Sequence, residues 1–186
     1  MWYLARGTGV VAFVLLSLTL VLGITARSRK PFLGLARFGV ASVHRAVSLF
    51  AVVLLAGHIL SLLADPYAQL HLVNLVVPFT STYRPMWVGL GALALDLMVA
   101  LVITSLLRDR IGHRAWRAIH WTAYAVWPTA LLHSLGSGTD SGTTWLRGLA
   151  MLCAAAVGGA VAWRMTFPPA LTTAVAPRRQ IPELIR

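Results

Sequence analysis

Apolar residues fall along this chain in long runs, at about 8–25, 44–64, 86–107, 119–135 and 146–164, and charge and proline collect between them. A bilayer core of ~30 Å needs about 20 apolar residues at 1.5 Å rise. The pattern therefore predicts an all-α membrane protein, a bundle of five transmembrane helices at those positions. The first run is too long for a signal-peptide core and lacks a small-x-small cleavage site before the arginines, so it is read as a retained helix. Residues 1–165 form one membrane domain, and 166–186 form a short, proline-interrupted tail expected to be poorly ordered. The outer connection from Asp65 to Pro85 contains "YAQLHLVNLVVPF", an amphipathic segment suited to the interface or to folding back on the protein. The last run is rich in small residues, among them Ala154, Ala155, Ala156, Gly158, Gly159 and Ala160, a composition that lets helix backbones pack closely.

Composition agrees. The 186 residues are 58% hydrophobic and 11% charged, with a mean hydropathy of +0.76, outside the range of soluble domains. The formal charge of +11 excludes little by its size and much by its placement. Arg27, Arg29, Lys30, Arg37 and Arg45 gather at one loop; Arg108, Arg110, Arg114 and Arg117 at another; Arg164, Arg178, Arg179 and Arg186 at the C-terminal end. Arg6, Arg84 and Arg147 fall on the opposite side. The positive-inside bias puts the N-terminus outside and the C-terminus in the cytoplasm of a multi-pass plasma-membrane protein. Basic residues that flank apolar helices speak against nucleic-acid binding. Trp2, Trp87 and Trp145 fall at outer helix ends and Trp116, Trp121 and Trp163 at inner ones, as an interfacial belt requires; Trp127 lies deep. The single Cys153 excludes an intrachain disulfide, a CxxC redox pair and a c-type haem site.

Candidate chemistry lies in the histidines. His44 and His58 are fourteen residues apart, and His120 and His133 thirteen apart. On an ideal helix fourteen residues rotate about 1400°, so His44 and His58 share a face some 21 Å apart along the axis, with the small Ser48 and Ala51 between them. The second pair has nearly the same depth separation. Its helix runs parallel to the first, so His44 matches His120 in depth and His58 matches His133. Two imidazoles at one depth on two helices supply both axial ligands of a haem iron, and doing so twice stacks two haems. Thirteen residues leave His133 about 140° from His120, and Pro128 between them is expected to kink the helix and re-aim it. His71 and His113 have no matching partner and read as exposed or locally bonded. Histidines in membrane helices also mark proton or solute paths. The competing reading is thus a proton or small-solute transporter that uses Asp96 and these imidazoles.

The stretches "VHRAVSLFAVVLLAGHIL", "YRPMWVGLGALALDLMVALVITSLL" and "GHRAWRAIHWTAYAVWPTALLHSL" resemble the ferric reductase-like transmembrane domain family, which includes ferric reductases, NADPH oxidases and the haem-binding membrane subunit of bacterial methionine sulfoxide reductase systems. The resemblance covers roughly residues 8 to 165 and rests most on the histidine spacing and the "W-R-x-x-H" entry. It implies two b-type haems, the inner on His44 and His120 and the outer on His58 and His133. Family members commonly have six helices, and many carry a flavin and nicotinamide domain. Here no GxGxxG turn or P-loop appears, so flavin or NAD(P)H enters only through a partner.

A doubly imidazole-ligated iron suits outer-sphere electron transfer. The expected donor is a cytoplasmic flavin reductase or a quinol, and the acceptor is ferric iron, an exported flavoprotein or a reductase partner. An alternative makes the protein the terminal enzyme, reducing iron or oxygen directly. Arg45, Arg114 and Arg117 are candidate propionate contacts for the inner haem, Arg84 and Arg147 for the outer, with snorkelling as the plain alternative. Trp127, seven residues from His120, is a candidate for packing between the haems. Asp96, mid-helix, is a candidate partner for a ligand histidine's second nitrogen.

Overall fold

The computed structural model describes residues 1–26, 37–137 and 142–166; 87% of these are helical and none lies in a strand. Seven α-helices make up the described residues: α1 (Trp2–Thr25), α2 (Arg37–Leu63), α3 (Leu72–Val76), α4 (Pro85–Leu106), α5 (Arg108–His120), α6 (Ala123–Ser137) and α7 (Thr144–Thr166), with a 3-10 turn at Pro66–Ala68. Among the described residues four helices, α1, α2, α4 and α7, are long and apolar enough to cross a membrane. Arg27, Arg29, Lys30 and nearly all of the tail fall outside the described residues, so the expectation of a poorly ordered tail does too.

With no water in a bilayer core, each backbone and side-chain polar group must be satisfied within the protein. Helices do this for the backbone, and several hydroxyls in these runs do it by bonding back one turn, although the buried Thr19 hydroxyl has no partner among the described residues. Ser17 donates to the Phe13 carbonyl at 2.9 Å, Ser48 to His44 at 2.6 Å and Thr104 to Ala100 at 2.6 Å.

The packing gives the helices their directions. The first residues of α1 meet the last turns of α2, and the end of α1 meets its start, so these two run antiparallel. The start of α4 meets the end of α6, and Ala94 and Leu101 of α4 pack on Val126 of α6, an antiparallel pair again. Leu20 and Ile24 of α1 pack on Val157 and Ala160 of α7, and Arg6 lies against Trp145, so α1 and α7 run parallel. Thus α1, α4 and α7 point one way and α2 and α6 the other.

Three features depart from the sequence expectations. The apolar run expected at 119–135 divides: His120 ends α5, residues 121 and 122 turn, and α6 is a 15-residue helix. The break lies at Trp121–Thr122, while Pro128 stays inside α6. The reason is the change of surroundings. α5 is strongly amphipathic, with exposed Arg108, Arg110, Arg114 and Arg117, and is itself bent at Gly112 (φ 80°). An interfacial helix of that kind must turn before an apolar one can enter the bundle. Thr122 closes the turn by donating to the Ile119 carbonyl at 2.8 Å. Finally, the small residues of α7 do not all face inward: Ala150, Cys153, Val157 and Ala160 are buried, whereas Ala155, Ala156, Gly158 and Gly159 are exposed.

Candidate functional site

α2 packs along α1, and α6 along α4, but α2 and α6 make at most marginal contact with each other. A cavity of about 510 Å³ occupies the space between them, within the ~300–1,000 Å³ typical of cofactor and ligand sites. His58 and His133 both line it, with Ala51 and Leu55 of α2, Phe13 and Leu16 of α1, and Leu95 and Met98 of α4. The connection after α2 covers one end: Asp65 accepts from the Tyr67 N–H at 3.1 Å, and Tyr67, Leu70 and Asn74 join the lining. Asn74 is buried, accepting from the His71 N–H at 2.9 Å and donating to Thr80 at 3.1 Å. His71 therefore serves as a helix cap. Exposed His113 lies beside Trp116, ring centroids 5.4 Å apart.

Each of three imidazoles is held by a main-chain carbonyl of the adjoining helix. His58 Nδ1 lies 2.6 Å from the Ala5 oxygen, His44 Nδ1 3.0 Å from that of Thr19 and His133 Nδ1 2.8 Å from that of Trp87. A carbonyl only accepts, so Nδ1 carries the proton in all three, and Nε2 presents its lone pair. Imidazoles that ligate metals are held in this way, the second nitrogen donating to a carbonyl or carboxylate. His120, at the end of α5, stacks on Trp116 with centroids 4.8 Å apart. It lies at the same end of the bundle as His44, since Tyr124, one turn later, packs near Leu20 and Ile24 of α1. Neither His44 nor His120 lines the cavity. Among the described residues no three His, Cys, Asp or Glu side chains converge.

The other candidates are placed as follows. Trp127 donates from Nε1 to Ser17 Oγ at 2.9 Å and stacks on Phe13 with centroids 6.1 Å apart. Ser17 lies between Ala5 and Thr19 on α1, whose carbonyls hold His58 and His44, so Trp127 sits at a depth between the two histidine levels. Arg84, in a left-handed conformation (φ 42°) before Pro85, donates to the Gly136 carbonyl at 2.6 Å and so ties α4 to the end of α6. It does not line the cavity; Arg6 does, set between the rings of Trp2 at 5.1 Å and Trp145 at 5.5 Å. Arg45 and Arg117 are exposed. Asp96 is half-buried in α4 and bonds to none of the four imidazoles; the acceptors seen at three of them are main-chain carbonyls. Arg6 was within reach of sequence reasoning, because an arginine one turn from an interfacial tryptophan on the helix opposite His58 is a natural polar group for that mouth.

Fold and site together define a helical membrane bundle with histidines on neighbouring helices and an apolar cavity between two of them. The family described as ferric reductase like transmembrane component matches residues 8–131, two-thirds of the chain. The chain belongs to that family, which generally binds haem, works with redox partners and gives this protein a membrane electron-transfer role. The match takes in His44, His58 and His120 and stops two residues short of His133. Nothing among curated proteins or solved structures matches the chain.

Proposed function

We propose that this protein is a dihaem b-type transmembrane electron carrier, with His58 and His133 as axial ligands of an outer haem and His44 and His120 of an inner one. The observation that carries the reading is that His58 of α2 and His133 of α6 line the same cavity, each with Nδ1–H given to a carbonyl and Nε2 left to ligate. A pair of imidazoles with no third donor suits an iron that brings its own four equatorial nitrogens, and the apolar lining suits a flat macrocycle. Such an iron, when bound, supplies one-electron outer-sphere transfer.

The chain's own residues do the remaining work. Ala5, Thr19 and Trp87 fix the tautomer and orientation of three rings through their carbonyls. Leu55, Phe13, Leu16 and Met98 exclude water from the space between α2 and α6. Arg6, kept at the mouth by Trp2 and Trp145, offers a cation to carboxylates there, and Arg45 and Arg117 are placed to do so at the other end. Trp127 fills the depth between the levels and is held there by Ser17.

The alternating directions of α1, α2, α4, α6 and α7 support five crossings, with α6 and the turn before it as the short one. Charge placement puts the N-terminus outside and the C-terminus in the cytoplasm of the plasma membrane. Electrons then pass from a cytoplasmic flavin reductase or quinol to ferric iron, an exported flavoprotein or a reductase outside. A reduced-minus-oxidised spectrum of the purified protein should show b-type bands with two irons per chain. Absence of those bands would sink the proposal in favour of proton or solute transport through Asp96. Vesicles loaded with reductant separate direct reduction of external iron or oxygen from dependence on a protein acceptor.

A further inference from the structure

The three carbonyl-held imidazoles share a second feature. The residue four positions beyond each accepting carbonyl is glycine: Gly9 beyond Ala5, Gly23 beyond Thr19 and Gly91 beyond Trp87. In an α-helix the carbonyl of residue i accepts the N–H of residue i+4. A ring coming from outside the helix must therefore reach that oxygen past the position where the side chain of i+4 begins. A β-carbon at Gly9 would stand 2.7 Å from His58 Nδ1 and 2.8 Å from its Cε1. One at Gly91 would stand 2.5 Å from both the corresponding atoms of His133, and one at Gly23 3.3 Å from His44 Cε1. Favourable carbon contacts lie at about 3.5–4.0 Å. Gly9 and Gly91 thus leave no room for even a methyl group, and Gly23 demands a small shift. Among the described glycines, crowding by an imidazole is particular to these three positions: at Gly89 and Gly136 an added β-carbon would meet Phe79 and Trp87 instead, and at Gly7, Gly148, Gly158 and Gly159 it meets nothing within 4 Å.

We infer that Gly9 and Gly91, and more weakly Gly23, are positioning residues: each opens a helix carbonyl to an imidazole of the neighbouring helix, which fixes that ring as the Nδ1–H tautomer with Nε2 as its ligating nitrogen. The register supports it. Gly9 and Gly23 are fourteen residues apart, as are His44 and His58, and α1 and α2 run antiparallel, so the same joint is made at two depths about 21 Å apart. The role toward haem rests on the preceding proposal. The joint itself, a ring seated on a carbonyl over a glycine, does not.

The test uses the full chain in lipid nanodiscs. Gly9→Ala and Gly91→Ala should each convert the same haem, roughly half of the total, from the low-spin bis-imidazole to a high-spin electron paramagnetic resonance signal, and added imidazole should restore it. Gly23→Ala should perturb the other haem less, and Gly7→Ala and Gly148→Ala should leave both as they are. A Gly9→Ala protein with the full wild-type low-spin signal would overturn the inference.

A thermal cycle decides independently of haem. Gly9→Ala should lower the unfolding temperature when His58 is present and leave it equal or higher in a His58→Ala background, where alanine is the better helix former and no ring is displaced. An equal fall in both backgrounds would show general packing and sink the idea. If Gly9→Ala alone cannot be purified, recovery of the double variant with His58→Ala at the level of His58→Ala supports the joint, and failure to recover it rejects it. A wild-type protein without b-type bands would end the haem proposal while the cycle still decides the role of Gly9.

Discussion

The two histidine levels are built by different means. His58 and His133 both sit on bundle helices, both donate Nδ1–H to a neighbouring helix and both line one cavity. At the other level His44 is held in the same way, but His120 terminates the amphipathic α5 and stacks on Trp116. One level is set by packed helices; the other depends in part on where an interfacial helix lies. Rings fixed by a second hydrogen bond have less rotamer freedom to lose when they ligate, and such outer contacts are typically worth 10–100-fold in metal affinity. At the His58–His133 level both rings are fixed through carbonyls of packed helices, and at the His44–His120 level one ring is so fixed while the other is carried by α5.

Removing a ligand outright tests the pairing most severely. His58→Ala and His133→Ala should each eliminate the same haem, and His44→Ala and His120→Ala the other, with transmembrane electron transfer falling more than roughly 100-fold in all four. Haem-to-protein ratios and spin-state spectra of the purified variants give the answer. Loss of one haem by both His58→Ala and His120→Ala would break the assignment of levels.

Sequence and structure agree where the bilayer dictates. Apolar runs near 20 residues are legible because lipid forces backbone groups into helices, and α1, α2, α4 and α7 fall on four of the five predicted runs. The fourth run was misread at its start, because hydropathy does not register a turn between an interfacial helix and an apolar one. Pro128 drew attention by its missing N–H, yet the ladder breaks at residues 121 and 122, where the surroundings change. The histidine spacings were visible in the sequence, and so was the matching interval between Gly9 and Gly23. What joins them is the antiparallel register of α1 and α2, a relation between helices that the run pattern does not contain. For the same reason Arg84 looked like the cation of the His58 level and Arg6 did not: which helix end closes the cavity is set by packing.

That contrast between the two arginines yields the next test. Arg6→Gln should weaken haem retention at the His58–His133 level roughly 10- to 100-fold, since a hydrogen bond to a charged group contributes about 1.5–3 kcal/mol, and should spare the other haem. Arg84→Gln should act on both levels through stability, by loosening the bond to Gly136, and should show itself in the unfolding temperature. Timed haem transfer to an apoprotein acceptor measures the first effect. An equal loss of both haems from Arg6→Gln would remove its special link to the cavity.

Trp127 lies between the levels and sharpens the comparison from the middle. Trp127→Phe keeps a ring against Phe13 but gives up the bond to Ser17, whose hydroxyl still donates to Phe13. The expected cost is ~1 kcal/mol of stability. Ser17→Ala should cost a similar amount, and the double variant should cost less than the sum, because both changes delete one interaction. Chemical denaturation of the three variants would show the coupling, and strict additivity would mean that the bond contributes nothing.

The smallest expected effect probes the contact between Trp116 and His120. Trp116 stacks on His120 and lies 3.4 Å from Ser105 through Nε1, so it links α5 to the end of α4. It is half-buried at the edge of the bundle, which puts the stacking contribution at the low end of aromatic pairs, ~0.5 kcal/mol. Trp116→Leu should therefore leave global stability nearly unchanged. Its consequence should appear at the His44–His120 haem alone, as a broader distribution of ligand orientations in the low-spin signal, while the His58–His133 signal keeps its width. If both signals broaden equally, the two levels share one source of order, and the distinction between a level built by packed helices and one that depends on α5 does not hold.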